Sequence, residues 1–148
     1  MKAVLQRVAN ASVTVGDRVV GEIGHGLLVL LCVEPDDGDR EAGYLAGKIA
    51  RMRIFADGNG KFNRSLLDVE GGALVVSQFT LAADWRRGNR PSFSGAAPPD
   101  SAVPLYEAFC GHLRDLGILV QTGEFAAEMR VALVNDGPVT IWMDTGDR

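Results

Sequence analysis

The stretch Leu74-Val75-Val76-Ser77-Gln78-Phe79-Thr80-Leu81 decides how the rest of the chain is read. Its first half is apolar and β-branched, the pattern of a buried strand. Its second half breaks that pattern with Ser77, Gln78 and Thr80. A strand holds its backbone rigidly, and polar groups placed where it leaves the sheet can form a precise site. The plainer alternative is a strand end whose polar side chains only satisfy turn hydrogen bonds. The remaining sequence has to choose between the two.

The chain has 148 residues, enough for one domain (1–148) with a substantial core. A hydrophobic content of 47% and a charged content of 23% suit a globular protein in water. The formal net charge of −4 argues against a protein that coats nucleic acid without selection, but leaves room for a small basic patch that meets one RNA end. The longest apolar run, Leu27 to Val33, has the length of a strand and not of a membrane span. The opening Met1-Lys2-Ala3-Val4-Leu5-Gln6-Arg7 has no long apolar segment and no cleavage signal, so no secretory leader is expected. Cys32 and Cys110 lie within apolar patterns and read as small core residues of a reduced cytoplasmic protein.

Around the central stretch, strand patterns cover Ala3–Val8, Ser12–Val15 and Val19–Ile23, with Gly16-Asp17 as a two-residue hairpin. Leu27 to Val33 is apolar on both faces and should be a central strand. Ala42, Leu45, Ala46 and Ile49 fall at helical spacing and predict a helix over Asp39–Met52. Gly43 and Gly47 weaken that helix, so a close packing partner should compensate. Arg53 to Phe55 starts another strand, and Asp57-Gly58-Asn59-Gly60 is a turn. A second helix opens at Pro98-Pro99-Asp100-Ser101, with Pro104 expected in its first turn and Gly117 as its stop. Ile118–Gln121, Met129–Val134 and Val139–Met143 complete the strands. Eight or nine strands with two main helices define an α+β fold, with mostly antiparallel, barrel-like sheets.

Two segments lack periodicity. Ala82 to Pro99 is long for a compact domain and carries Arg86, Arg87 and Arg90 beside Trp85 and Phe93. Such a loop suits an anionic ligand. Asn135-Asp136-Gly137-Pro138-Val139-Thr140 interrupts the last strand pair, and a Gly-Pro turn presents carbonyl oxygens that can bind an ammonium group. Only His25 and His112 are present, neither beside a Ser or Cys nucleophile motif. No Walker loop, dinucleotide fingerprint, G-x-S-x-G elbow or zinc spacing occurs. Catalysis should therefore rest on oriented backbone donors and hydroxyls.

With these residues in view, the chain resembles the D-aminoacyl-tRNA deacylase family. The matching pieces are Ala3-Val4-Leu5-Gln6-Arg7-Val8, Gly24-x-Gly26-Leu27-Leu28-Val29, Ser77-Gln78-Phe79-Thr80-Leu81, Arg90-Pro91-Ser92-Phe93 with Ala96-Ala97-Pro98-Pro99, and Asn135 to Thr140. The resemblance implies a cytoplasmic homodimer, with no metal or cofactor and no membrane association. It implies hydrolysis of the ester between a D-amino acid and the 3′-terminal adenosine of tRNA. Ser77, Gln78, Phe79 and Thr80 would form the ester-facing catalytic wall. Gly137 and Pro138, joined by a cis bond, would reach from the partner subunit to the substrate's α-ammonium. Arg86, Arg87 and Arg90 would contact tRNA. Glycyl-tRNA, including glycine mischarged on alanine tRNA, should also be cleaved, because exclusion of L-residues is steric. Whether Thr80 is a nucleophile or a wall is open at this stage. Two other readings compete: a non-catalytic module that binds RNA ends, and a hydrolase of small esters without RNA.

Overall fold

The computed structural model describes all 148 residues. Strand β1 runs without a break over Lys2–Val15, where the sequence pattern suggested two strands. Its turn at Gly16-Asp17 leads into β2, Arg18–Ile23, in antiparallel pairing. Strand β3, Gly26–Cys32, is buried almost throughout and lies between β1 and the strand that contains Leu74, as its two apolar faces require. Helix α1 spans Asp39–Arg51, and Glu41 reaches back to the Gly38 N–H at 2.9 Å to cap it.

A small antiparallel pair follows: β4, Phe55–Ala56, and β5, Phe62–Arg64. Strand β6, Gly72–Ser77, is the anchor stretch and pairs in parallel with β3 and with β7, Val120–Thr122. The other pairings are antiparallel, so the sheet is mixed. Helix α2 spans Pro99–Asp115. Pro104 sits at its sixth position and not in the first turn, where it deletes an interior hydrogen bond toward Asp100.

Strand β8, Arg130–Asp144, is also continuous and replaces the two short strands expected from sequence. It pairs with β1 from Lys2↔Asp144 to Thr14↔Arg130. The register jumps from Gln6↔Thr140 to Val8↔Asn135. Residues 136–139 therefore bulge out of the ladder opposite the single residue Arg7. The two outer strands of the sheet path, β2 and β7, nearly meet. A Cβ at Gly21 would lie 2.3 Å from the Thr122 carbonyl oxygen, so only glycine permits this approach. The sheet thus curls into a nearly closed barrel.

One face of the sheet carries the helices. Leu5, Leu27 and Val29 pack there with Leu45 and Ile49 of α1 and with Phe109 and Leu113 of α2. The other face encloses Val8, Leu28, Leu74 and Val76, covered by Met129, Val131 and Leu133. Tyr106 of α2 donates its hydroxyl to the Val75 carbonyl at 2.7 Å and fixes the helix to the site-bearing strand. Gly43 meets the His112 ring of α2, the close partner expected for that glycine, whereas Gly47 meets only Arg51 of its own helix.

Candidate active site

The polar end of β6 forms because Ser77 is its last sheet residue. The Gln78 N–H still bonds to the Leu31 carbonyl at 2.8 Å, and Phe79–Ala82 then turns as a 3-10 helix. The amides of Phe79 and Thr80 begin that turn, where backbone donors have no partner within the helix. Gln78 Nε2 donates to Thr80 Oγ1 at 2.5 Å. Phe79 projects outward, 56% exposed, and its ring meets Phe93 edge to face at 5.3 Å between centroids.

This corner opens on a cavity of about 600 Å³. Ser77, Gln78 and Phe79 line it, with Phe93, Phe125 and Met129 as further walls. The volume and the apolar lining suit a nucleoside-sized ligand with a few polar contacts. Cys32 is the one titratable residue among the lining side chains. Burial first, and then the nearby Glu34 charge, push its thiol above the ordinary range, so it remains protonated at neutral pH. Neither histidine lines the cavity: His25 packs edge to face on Phe55, and His112 pairs with Asp39 at 2.8 Å. No group of three His, Cys, Asp or Glu side chains is placed so that it could hold a metal ion.

Gly137 and Pro138 do not line this cavity. Their bond is cis, and Gly137 has a φ of +141°. The corner is exposed but firmly held. Arg7 Nε donates to the Asp136 carbonyl at 2.9 Å, and Arg7 Nη1 donates to the Ile54 carbonyl at 2.8 Å. Asn135 Oδ1 accepts from the Val139 N–H at 3.0 Å, and Asn135 Nδ2 donates to Thr140 Oγ1 at 2.9 Å. Arg7 and Asn135 as clamps were missed by motif reading. The available signal was the motif context alone: Arg7 lies in the opening strand and Asn135 begins the Asn135–Thr140 stretch.

Arg86, Arg87 and Arg90 are all exposed on the loop between the 3-10 turn and α2. Arg86 pairs with Asp84 at 3.4 Å and stacks near Trp85, while Arg87 and Arg90 form no hydrogen bond or ion pair within the chain. The loop has some order of its own, through an antiparallel bridge between Asp84 and Ser92.

A curled mixed sheet backed by two helices, with a cavity at a strand end that no histidine, carboxylate or lysine lines, defines the class: a small barrel domain with a preformed cleft. The family model described as D-Tyr-tRNA(Tyr) deacylase matches residues 4–144, and the chain belongs to this family. A D-aminoacyl-tRNA deacylase of Roseiflexus sp. (strain RS-1) is 66% identical over 98% of this chain and 94% of its own. One from Dinoroseobacter shibae is 63% identical over 97% of this chain and 99% of its own. Among solved structures, a chain described as c-Myc DNA Unwinding Element Binding Protein superposes with a TM-score of 0.92 at 41% identity, covering 98% of this chain and 99% of that one.

Proposed function

We infer that the D-aminoacyl-tRNA deacylase activity of this family is carried out here at the Ser77–Thr80 corner, by fixed polar groups and without a side-chain base. The observation that carries this reading is the 600 Å³ cavity at that corner, whose lining has no carboxylate, histidine or lysine. An aminoacyl ester is already activated, so orienting water and stabilising an oxyanion are the main tasks. The amides of Phe79 and Thr80 are the donors for the oxyanion, and one such donor contributes roughly 3–4 kcal/mol. Ser77 and Gln78 hold the terminal ribose and the ester. The ribose's vicinal hydroxyl assists the attacking water. Arg86, Arg87 and Arg90 approach the tRNA backbone from the exposed loop.

The second wall comes from another copy of the chain. Gly137 and Pro138 are too far from their own cavity to line it, yet they are exposed and clamped by Arg7 and Asn135. In a homodimer their carbonyl oxygens face the substrate's α-ammonium. The outer face of β8, with Val134 and Trp142 each about half exposed, supplies apolar surface for such a contact. With the ammonium and the ester both fixed, a D side chain points out of the site and an L side chain points into the packed Gly137-Pro138 wall. Rejection of L-residues is then steric. Glycine has nothing to clash and is cleaved.

Deacylation of D-Ala-, L-Ala- and Gly-tRNA under one set of conditions tests this reading. The expected order is rapid loss of D-alanine, measurable loss of glycine and an intact L-alanyl ester. Glycyl-tRNA as inert as the L-form would show that contacts to the D side chain set the specificity.

A further inference from the structure

The bulge of β8 borders a second pocket that the deacylation site does not use. Its volume is about 500 Å³, and Arg7, His25, Arg64 and Asp136 line it, over a floor formed by Phe55. In a chain of net charge −4, a pocket with two guanidinium groups and an imidazole against one carboxylate is a local reversal of sign. A separate surface pocket has the opposite balance, with Glu34, Asp36, Asp37 and Glu41 against Arg148 and the N-terminal Met1.

The donors are not used up by the fold. Arg7 bonds through Nε and Nη1, which leaves Nη2 directed past Gly137, where a Cβ would lie 3.1 Å from it. Arg64 Nη2 donates to the Asp68 carbonyl at 2.9 Å, which leaves its Nε and Nη1 without a partner in the chain. Asp136 offsets only the Arg7 charge: it is half exposed, and its Oδ2 lies 4.0 Å from Arg7 Nε, whereas Arg64 forms no ion pair in the chain. Strand β5 adds an exposed aromatic ring at the rim. Phe62 is 53% exposed and lies 5.3 Å from the Arg7 guanidinium. Behind it, Arg53 grips Asn63 through its carbonyl and side chain at 3.1 and 2.7 Å, so the β4–β5 pair is a braced basic edge.

We propose that the pocket between Arg7, His25 and Arg64 binds a phosphodiester of the tRNA acceptor strand, with Phe62 offering a stacking face to an adjacent unpaired base. Guanidinium forks are suited to phosphate oxygens, and exposed aromatic rings beside arginine are the usual platform for single-stranded RNA. The proposal rests on the deacylase reading only for the choice of RNA. Because Asp136 lines the pocket and precedes Gly137, the phosphate is held next to the corner that meets the α-ammonium. The RNA strand is then gripped by the subunit that contributes Gly137-Pro138, while the ester lies in the other subunit's cavity.

Arg64 is the residue to vary, because Arg7 also supports the bulge. Binding of uncharged tRNA to the full chain is measured by fluorescence anisotropy over a range of salt. Arg64→Ala is expected to weaken binding by about tenfold, the loss of one charged hydrogen bond. The salt slope is expected to fall by about one unit, the signature of one lost phosphate contact. Arg64→Lys should restore most of the affinity, which a purely structural role would not predict. A second arm compares D-alanyl-tRNA with 3′-O-D-alanyl-adenosine, which has no phosphodiester. The ratio of their kcat/KM values should fall about tenfold in Arg64→Ala, through KM. Unchanged affinity and slope, or equal losses on both substrates, would overturn the proposal. Arg64-dependent tRNA binding by a protein that cleaves no D-aminoacyl ester would refute the hydrolase reading and leave this site standing.

Discussion

Thr80 poses the sharpest question at the scale of single residues. Its hydroxyl accepts a hydrogen bond from Gln78 Nε2 at 2.5 Å. A donor on that oxygen orients it but does not remove its proton. The cavity offers no base to do so, because neither histidine and no carboxylate lines it. An unactivated hydroxyl is a weak nucleophile. On the proposed mechanism Thr80 braces the corner through Gln78 and is not the nucleophile, so Thr80→Ala should keep kcat within about tenfold, the cost of roughly one neutral hydrogen bond. Single-turnover kinetics with D-alanyl-tRNA measure this. An acyl group trapped on Thr80, or complete loss of turnover with the fold intact, would make it the nucleophile.

At the scale of elements, the site depends on how well α2 holds β6. Tyr106 is buried and bonds to the Val75 carbonyl at 2.7 Å, and desolvation moves its hydroxyl far above the ordinary titration range. The same carbonyl also accepts from the Gly123 N–H at 3.2 Å. Removing the hydroxyl therefore leaves no orphaned acceptor, and Tyr106→Phe should cost only about 1 kcal/mol. Tyr106→Ala opens a cavity between helix and sheet and should cost about 3–5 kcal/mol. Urea denaturation distinguishes the two, and equal losses would assign Tyr106's contribution to its hydroxyl alone. These elements were legible in sequence to different degrees. The strand Leu74–Ser77 and the helix at Asp39 follow from periodicity and caps, which are local signals. Continuity was not local: Ala9 and Asn10 interrupt the alternation of β1, and Gly137-Pro138 interrupts that of β8. Pairing along nearly the whole of β1 holds both together. The Ser77–Thr80 corner could be read because polar residues end an apolar run. Phe125 and Met129 could not, because only the curl of the sheet brings them to the cavity.

At the scale of the whole molecule, the ends of β1 and β8 are tied by charge. Lys2 bonds to Glu34 and lies 3.3 Å from Asp144. Burial of Asp144 alone would raise its pKa, but the Gly146 N–H and Lys2 outweigh it and hold the carboxyl below its ordinary 3.8. A group with a depressed folded pKa stabilises the fold above its ordinary value and loses that contribution as pH falls through the folded one. Lys2 behaves in the opposite sense. Burial opposes its charge, yet Glu34 and Asp144 raise its pKa above 10.5, so its contribution is complete below that value and disappears at higher pH. Asp144→Asn should accordingly be less stable than the parent at neutral pH, and the gap should close as pH falls below 3.8 and through the lower folded value. Melting temperatures across that range test it, and a gap independent of pH would remove the ionic contribution.

Assembly is the property that no single chain can display, because the proposed site is divided between two surfaces. The Ser77–Thr80 corner opens on the cavity, while Gly137-Pro138 projects from the far side of β1 on an exposed bulge. A Cβ at Gly137 would lie 2.9 Å from the Val139 side chain and 3.1 Å from Arg7 Nη2, at a φ that L-residues rarely adopt. Gly137→Ala should therefore displace the bulge and abolish turnover while leaving its own cavity intact. A second variant, altered within Ser77–Thr80 so that it is inactive, retains a sound bulge. In a symmetric dimer each site takes one surface from each copy. A heterodimer of the two variants then contains one site with both defects and one site with neither. Mixing equal amounts through unfolding and refolding makes about half of the dimers mixed, so about a quarter of the sites become whole. Activity should rise from background to about that fraction of the parent's. Sedimentation of the same sample must show dimers. A verified monomer with full activity would place both walls in one chain, and a mixed dimer without activity would show that Gly137-Pro138 serves the cavity of its own subunit.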